Sequence, residues 1–124
     1  MSYETHFWFT FTVAPTLLPE HRAFLQAFAD GDRSRVDDPA ALPKRPDGAC
    51  HWEPTPEGKG IRWSEHTKFY DYEVWLRYLI AHFLAPWGYV LNGEVRYSGE
   101  NDTDEGVITV AQNVVAMRNT VTYY

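Results

Sequence analysis

The chain has 124 residues, 44% of them hydrophobic, which suits one packed domain over 1–124 and leaves little room for a second. Seventeen acids against eleven bases give a net charge of −6, which disfavours nucleic acid as a partner because phosphate backbones need clustered Lys and Arg. A lone cysteine, Cys50, excludes an internal disulfide and any multi-cysteine metal site, and no basic leader or membrane-length apolar run is present, so a cytoplasmic protein without membrane contact is expected.

Residues 3–13, YETHFWFTFTV, alternate. Tyr3, Thr5, Phe7, Phe9, Phe11 and Val13 form one face, and Glu4, His6, Thr10 and Thr12 the other, with Trp8 as the apolar exception. Period two over eleven residues predicts a strand with one face buried. Pro15 stops it. Pro19 then suits the first turn of a helix, and Phe24, Leu25 and Phe28 follow helical spacing up to the Asp30-Gly31 stop, so a helix is expected at 19–29. Residues 30–48 hold three prolines and two glycines and read as a long loop. Residues 49–53 and 61–68 read as a hairpin in which Trp52 and Trp63 face each other.

Residues 72–85 carry the clearest helical stripe: Tyr72, Trp75, Leu76, Leu79, Ile80 and Phe83, with Glu73 and Arg77 set to pair on the other side. Pro86 and Gly88 end it. Residues 89–98 alternate again, with a bulge or kink expected at Asn92-Gly93. Glu100 to Gly106 reads as an acidic turn. Residues 107–110 and 113 onward form a last hairpin around Ala111-Gln112, its final strand running toward Val121.

The expected order is β-α-β-β-α-β-β-β, an α+β fold with a mainly antiparallel sheet of about six strands and two helices on one face. The core should include Phe7, Phe9, Phe11, Phe24, Phe28, Trp75, Leu79, Phe83, Leu91, Val95 and Val110.

The segment 85–115 resembles small uncharacterised proteins of phages and of bacteria, actinobacteria among them. The residues that carry the resemblance are Gly88, Tyr89, Leu91, Asn92, Gly93, Val95, Gly99, Glu100, Asp104, Gly106, Val110, Asn113 and Val115. It covers about residues 75–115 and implies a fold segment and a phage or prophage origin. It transfers no catalytic residue, because no activity is assigned to those proteins.

Catalytic and metal motifs are sparse. Among His6, His21, His51, His66 and His82 no H-x-x-x-H or H-E-x-x-H pair occurs, although His51 and His66 could meet across the hairpin with Glu53 or Glu65 nearby. The acidic turn is a poor Ca²⁺ loop: with Gly106 at the glycine position, Gln112 falls where a bidentate acid is needed. Cys50 adjoins His51, but neighbours on a strand point to opposite faces. No nucleophile elbow, phosphate loop or dinucleotide fingerprint is present. No catalytic residue, cofactor or metal is therefore assigned.

One composition figure stands out. Five Trp, eight Tyr and seven Phe make 16% of the chain, more than a small core usually holds, so some rings should lie in an interface. Exposed Trp beside charged groups is the chemistry of binding hot spots. The sequence therefore points to a non-catalytic protein-interaction module with an unidentified protein partner, of phage or prophage type, acting on a host or defence protein. Its candidate binding residues are His6, Trp8, Trp52 and Trp63, with the acids Glu100, Asp102, Asp104 and Glu105, which could engage a basic partner surface. Two alternatives stand beside it: a small enzyme or metal-dependent site on the 49–68 hairpin, and single-stranded nucleic-acid binding on the open sheet face. The last strand also offers an edge through which two copies could pair. Exposure of Trp8, as opposed to burial beneath the 30–48 loop, is what the interaction reading most needs.

Overall fold

The structure, a computed structural model, describes residues 3–31 and 49–120. Strands β1 (Thr5–Trp8) and β2 (Phe11–Ala14) precede helix α1 (Pro19–Ala29). Strands β3 (Trp52–Pro54) and β4 (Gly60–Trp63) form a hairpin, then helix α2 (Tyr72–Leu79) runs into a π-helical turn, Ile80–Leu84. Strands β5 (Val90–Gly99), β6 (Glu105–Ala111) and β7 (Val114–Asn119) complete an antiparallel sheet of order β3-β4-β2-β5-β6-β7, with β1 also on β5. This is the α+β architecture expected. The 30–48 loop lies, from residue 32, outside the described residues, as does Val121.

Each helix follows its sequence cue. Pro19 opens α1, where its missing N–H is not needed, and α1 buries Leu25 and Phe28. In α2, Trp75, Leu76, Tyr78 and Leu79 are buried. The Ala85 amide donates to the Ile80 carbonyl at 2.9 Å, a π-type bond that keeps Ile80, Phe83 and Leu84 buried beyond the regular helix. Arg77, expected to pair with Glu73, donates to the Val115 carbonyl and so ties α2 to the edge strand β7.

Rings join the two helices to each other and to the sheet. Phe28 packs against Trp75 and Phe83, and Phe24 against Phe83. From the sheet, Phe7, Phe11, Val13, Leu91, Val95, Tyr97, Ile108 and Val110 point into the same core. Trp52 and Trp63 do face each other in the hairpin register, and Trp52 packs on Phe7, Phe11 and Phe69.

The first strand departs from expectation at one point. Trp8 lies opposite Arg96 and Thr12 opposite Asn92, so the register on β5 is unbroken, yet residues 9 and 10 leave the ladder. Phe9 has φ +79°, and its ring is 71% exposed. It is therefore not a core residue: the left-handed backbone turns its side chain out of the alternation that buries Phe7 and Phe11.

The motif asparagines of the C-terminal segment act on the backbone. The last hairpin turns at Gln112-Asn113, one residue later than the pattern implied, with φ +49° and +68° at the two. Asn113 Oδ1 accepts from the Leu91 amide at 2.6 Å, and Asn113 Nδ2 donates to the Tyr89 carbonyl at 3.0 Å. Asn92 Oδ1 accepts from the Gln112 amide at 2.8 Å. The β6–β7 turn is thus pinned to the start of β5.

Asn113→Ala should cost about 2–4 kcal/mol, because it strands two part-buried backbone groups and places a Cβ-bearing residue without side-chain compensation at positive φ. Asn113→Gly should recover about 1 kcal/mol of that by removing the φ cost. Urea unfolding of both variants measures the two shares, and equal stabilities would show that the backbone conformation at 113 contributes nothing.

Candidate functional site

The outer face of the sheet, away from the helices, carries the exposed aromatics. On β1 the alternation puts His6 and Trp8 there, opposite Ser98 and Arg96 of β5. Trp8 is 50% exposed, so it is not buried beneath another segment. Phe9 follows it and projects into solvent, and the two consecutive rings form a ridge. His6 packs at one side, 6.5 Å from Trp8 and edge-on to Trp63 at 5.7 Å between ring centroids. Trp63 is half-buried. Its indole N–H donates to the His66 carbonyl at 2.9 Å, and its ring rests on Phe7.

The acidic turn meets this ridge. Beyond β1, the Glu4 amide donates to Glu100 Oε1 at 2.7 Å. The Tyr3 hydroxyl donates to Asp104 Oδ2 at 2.6 Å and accepts from the Asn101 amide at 3.0 Å. The bond to Asp104 is the chief reason the Tyr3 phenol is held above its usual pKa, so it stays a donor. Asn101 Oδ1 accepts from the amide and hydroxyl of Thr103 and closes the turn. Residues about ninety to a hundred positions apart thus meet: Glu100 lines a cleft with His6 and Trp8, and Glu105 one with Trp8, whereas Asp104 bonds Tyr3 near Tyr72 and Tyr97 on the other face and Asp102 makes no contact with the ridge.

Shallow clefts surround the Trp8–Phe9 ridge. One of about 360 Å³ runs along Trp8, Phe9, Arg96, Ser98 and Glu105. A second, about 320 Å³, lies between the ridge, Arg62 and Trp63. A third, about 310 Å³, is lined by Glu4, His6, Trp8, Ser98, Gly99 and Glu100. Trp52 takes no part. It is 1% exposed, its indole N–H donates to the Tyr72 carbonyl at 2.8 Å, and it is a core residue. The hairpin pairing that identified Trp52 also decided its fate, since it brings the ring under Phe7 and Phe11. Sequence reasoning missed Phe9, Glu4 and Tyr3. Phe9 fitted the buried alternation, and nothing local to residues 3 and 4 signals contact with residues 100–104.

The 49–68 hairpin brings His51 and His66 together, with ring centroids 4.5 Å apart and planes 9° from parallel. A cleft beside them is lined by Asp30, Glu53, Ser64 and both histidines. Stacked parallel imidazoles aim their in-plane lone pairs side by side, whereas one ion needs them converging at about 2.0–2.1 Å. Among the described residues no cluster of three or more His, Cys, Asp or Glu side chains is placed to hold a metal ion. Cys50 is buried, with its thiol toward the Trp52 carbonyl at 3.8 Å. Among the described residues no helix is long and apolar enough to cross a membrane.

No family model, curated protein or solved structure matches this chain. The site is therefore argued from its own geometry.

Burial, and then the neighbouring His66, hold the His51 pKa below the usual value near 6.5. The unfolded chain then binds the proton more readily than the native one, so stability is full above pH 6.5 and falls as the pH drops below it. Thermal melts from pH 7.5 to 5.0 should show this loss, and His51→Gln should make the profile flatter over that interval. A variant profile as steep as that of the parent protein would assign the loss elsewhere.

Proposed function

We propose that the chain is a non-catalytic protein-interaction module whose contact surface is the Trp8–Phe9 ridge and the clefts beside it. One observation carries this reading. Phe9, an aromatic residue at the break between β1 and β2, sits at φ +79° with its ring in solvent, beside a half-exposed Trp8. A positive φ at a bulky residue costs of order 1–3 kcal/mol, and such strain persists where function keeps it. Exposing a large ring gives up further burial energy. Folding alone would favour Gly or Asn at this position. A partner that covers both rings recovers the loss, and Trp and Arg are the residues over-represented at such contacts. Arg96 stands directly across from Trp8.

The clefts suit a protein surface better than a small molecule. They are open and shallow and lie along one ridge, without the deep enclosure that holds most of a ligand's surface. The C-terminal resemblance supports the further proposal of a phage or prophage accessory protein that acts in the cytoplasm on a host or defence protein. Single-stranded nucleic acid also stacks on exposed rings, but acids border this ridge and would repel its backbone.

Two variants test the interaction reading with opposite expected effects on stability and binding. Phe9→Gly should raise stability by about 1 kcal/mol, because glycine accepts the left-handed backbone, while weakening partner capture. Trp8→Ala should leave stability within about 1 kcal/mol, since the site is half exposed, and abolish capture. The measurement is affinity purification from an actinobacterial lysate with quantitative mass spectrometry, run with the parent chain and both variants. Proteins recovered equally by all three would exclude the ridge as a contact surface.

A further inference from the structure

Strand β7 ends the sheet, and the bonding of its inner edge defines what its outer edge presents. The Thr120 amide donates to the Glu105 carbonyl at 2.9 Å, so Glu105–Thr120 is a hydrogen-bonded pair. Such pairs alternate along an antiparallel ladder, which makes Val107–Arg118, Thr109–Ala116 and Ala111–Val114 the other bonded pairs. The backbone groups of Val115 and Met117 therefore point away from β6. Arg77 supports this independently, because from α2 it reaches the Val115 carbonyl at 3.3 Å. Among the described residues the Val115 amide and the Met117 amide and carbonyl have no hydrogen-bond partner.

The other edges of the sheet differ. Strand β3 has three residues, ends in Pro54 and lies against α1. Strand β1 has four, and its Thr5 amide is taken by the Thr67 carbonyl at 2.8 Å. Strand β7 has six residues paired without a bulge, with no proline, lysine or acid among them. Those are the devices that keep open edges from pairing. An apolar side chain is also left uncovered. Val115 and Met117 lie opposite Val110 and Ile108, so both project to the helix side of the sheet. Val115 packs against the core there, whereas Met117 is 43% exposed. A row of unmet donors and acceptors beside an uncovered apolar side chain is completed by another strand.

We infer that β7 pairs antiparallel with β7 of a second copy of this chain, across a two-fold axis at Ala116. In this register Val115 of each copy lies opposite Met117 of the other, and each such pair exchanges both of its N–H···O bonds. The Val115 carbonyl accepts the second copy's Met117 amide on the lone pair that Arg77 does not use. Each exposed Met117 is covered by the other copy's Val115. Arg118, the one charged residue on β7, falls opposite Val114, so no like charges meet. Centring the axis on Met117 instead would set Val115 opposite Asn119 and lose both apolar pairs. A two-fold of this kind keeps the outer faces of the two sheets on one side, so the dimer presents two Trp8–Phe9 ridges together. The pairing itself stands on the edge and not on the ridge.

Sedimentation equilibrium of the full chain from about 10 to about 1,000 µM should show monomer passing to dimer, as expected of an interface at the small end of the size range. Met117→Pro removes an outward amide and no bond to β6, and Met117→Lys keeps the amide but places a charge on the edge. Each should weaken the dimer at least about tenfold, with circular dichroism reporting that the variant is folded and the lysine variant deciding where the proline one is not. Cross-linking tests the register. Ala116 faces its own counterpart in a pair without hydrogen bonds, Cα atoms about 4.5 Å apart, within disulfide reach. The two Val114 residues lie about 13 Å apart along the strands. Both positions are exposed, and the native Cys50 is buried. Under mild oxidation Ala116→Cys should therefore cross-link at least about fivefold faster than Val114→Cys.

A chain that stays monomeric over the whole concentration range would overturn the inference, and so would equal cross-linking of the two cysteine variants. A dimer that survives in Met117→Lys but is lost in Phe9→Gly or Trp8→Ala would assign self-association to the ridge and overturn it as well.

Discussion

Phe11 passes between two glycines, and much of the architecture follows from that close approach. A Cβ at Gly60 would stand 2.6 Å from the Phe11 carbonyl oxygen, and one at Gly93 would stand 3.2 Å from the Phe11 Cα. At this crossing β2 holds β4 on one side and β5 on the other, so a side chain at either glycine would wedge the sheet apart. Gly93 also takes φ +135° where the pairing of β5 changes: β2 pairs with one edge up to Asn92, β1 continues that edge from Arg96, and β6 pairs with the opposite edge from Gly93 onward. The register of the first strand on β5 is the same on both sides of the break. No residue is inserted, so the strain of leaving and rejoining β5 falls on backbone torsions. Phe9 takes it, and the result is a ring in solvent beside Trp8. The constraint that assembles the sheet and the feature that marks its surface are one piece of geometry.

The second organising contact ties the chain's beginning to its acidic turn. Three hydrogen bonds from Tyr3 and Glu4 reach Glu100, Asn101 and Asp104. Each meets a group that would otherwise compete for water or for a neighbouring acid. Asp104 receives a phenol O–H, Glu100 a backbone amide, and the Asn101 amide a phenol oxygen. Turn residues dense in like charge repel one another, and these donors offset part of that repulsion without neutralising it. The field survives and its geometry is fixed.

Much of the fold was legible because its elements follow the two simple periods. Residues 19–29 and the stripe from Tyr72 to Phe83 announced helices, and the alternations at 3–13 and 89–98 announced strands. The pairing of Trp52 with Trp63 was readable from the length of the hairpin connection. Three things were not. Phe9 obeys the buried alternation in every local respect, and only the non-local demand of Gly60 and Gly93 on Phe11 turns it outward. The π-helical turn at Ile80–Leu84 continues the apolar stripe and differs from an α-helix only in its hydrogen bonding. The roles of Asn92 and Asn113 were visible as a motif, but not as bonds, because their partners lie about twenty residues away. Of the candidate site, His6, Trp8 and the four acids were named from sequence as two unrelated groups. The meeting of His6 and Trp8 with Glu100 and Glu105 depends on the register of β1 on β5, which no local pattern encodes.

The surplus of aromatic residues supports an interface less directly than its size suggests. Most of the rings are spent on the core: Phe7, Phe11, Phe28, Trp52, Phe69, Trp75, Tyr78, Phe83, Tyr89 and Tyr97 are buried, and Phe24, Trp63, Tyr72 and Trp87 pack against them partly buried. They touch edge to face in a continuous network that joins both helices to the sheet. A small domain with two short helices has few aliphatic side chains to fill the gap between helix and sheet, and large rings fill it at low conformational cost. Composition therefore reports mainly on packing. What distinguishes the outer surface is position. Trp8 and Phe9 are consecutive, so in an undistorted strand one of them would be buried, and both are exposed only because the backbone at residue 9 is held away from its preferred basin. A ring exposed by chance needs no such arrangement. The weight of the interaction reading moves accordingly, from how many aromatic residues the chain contains to where two of them are held.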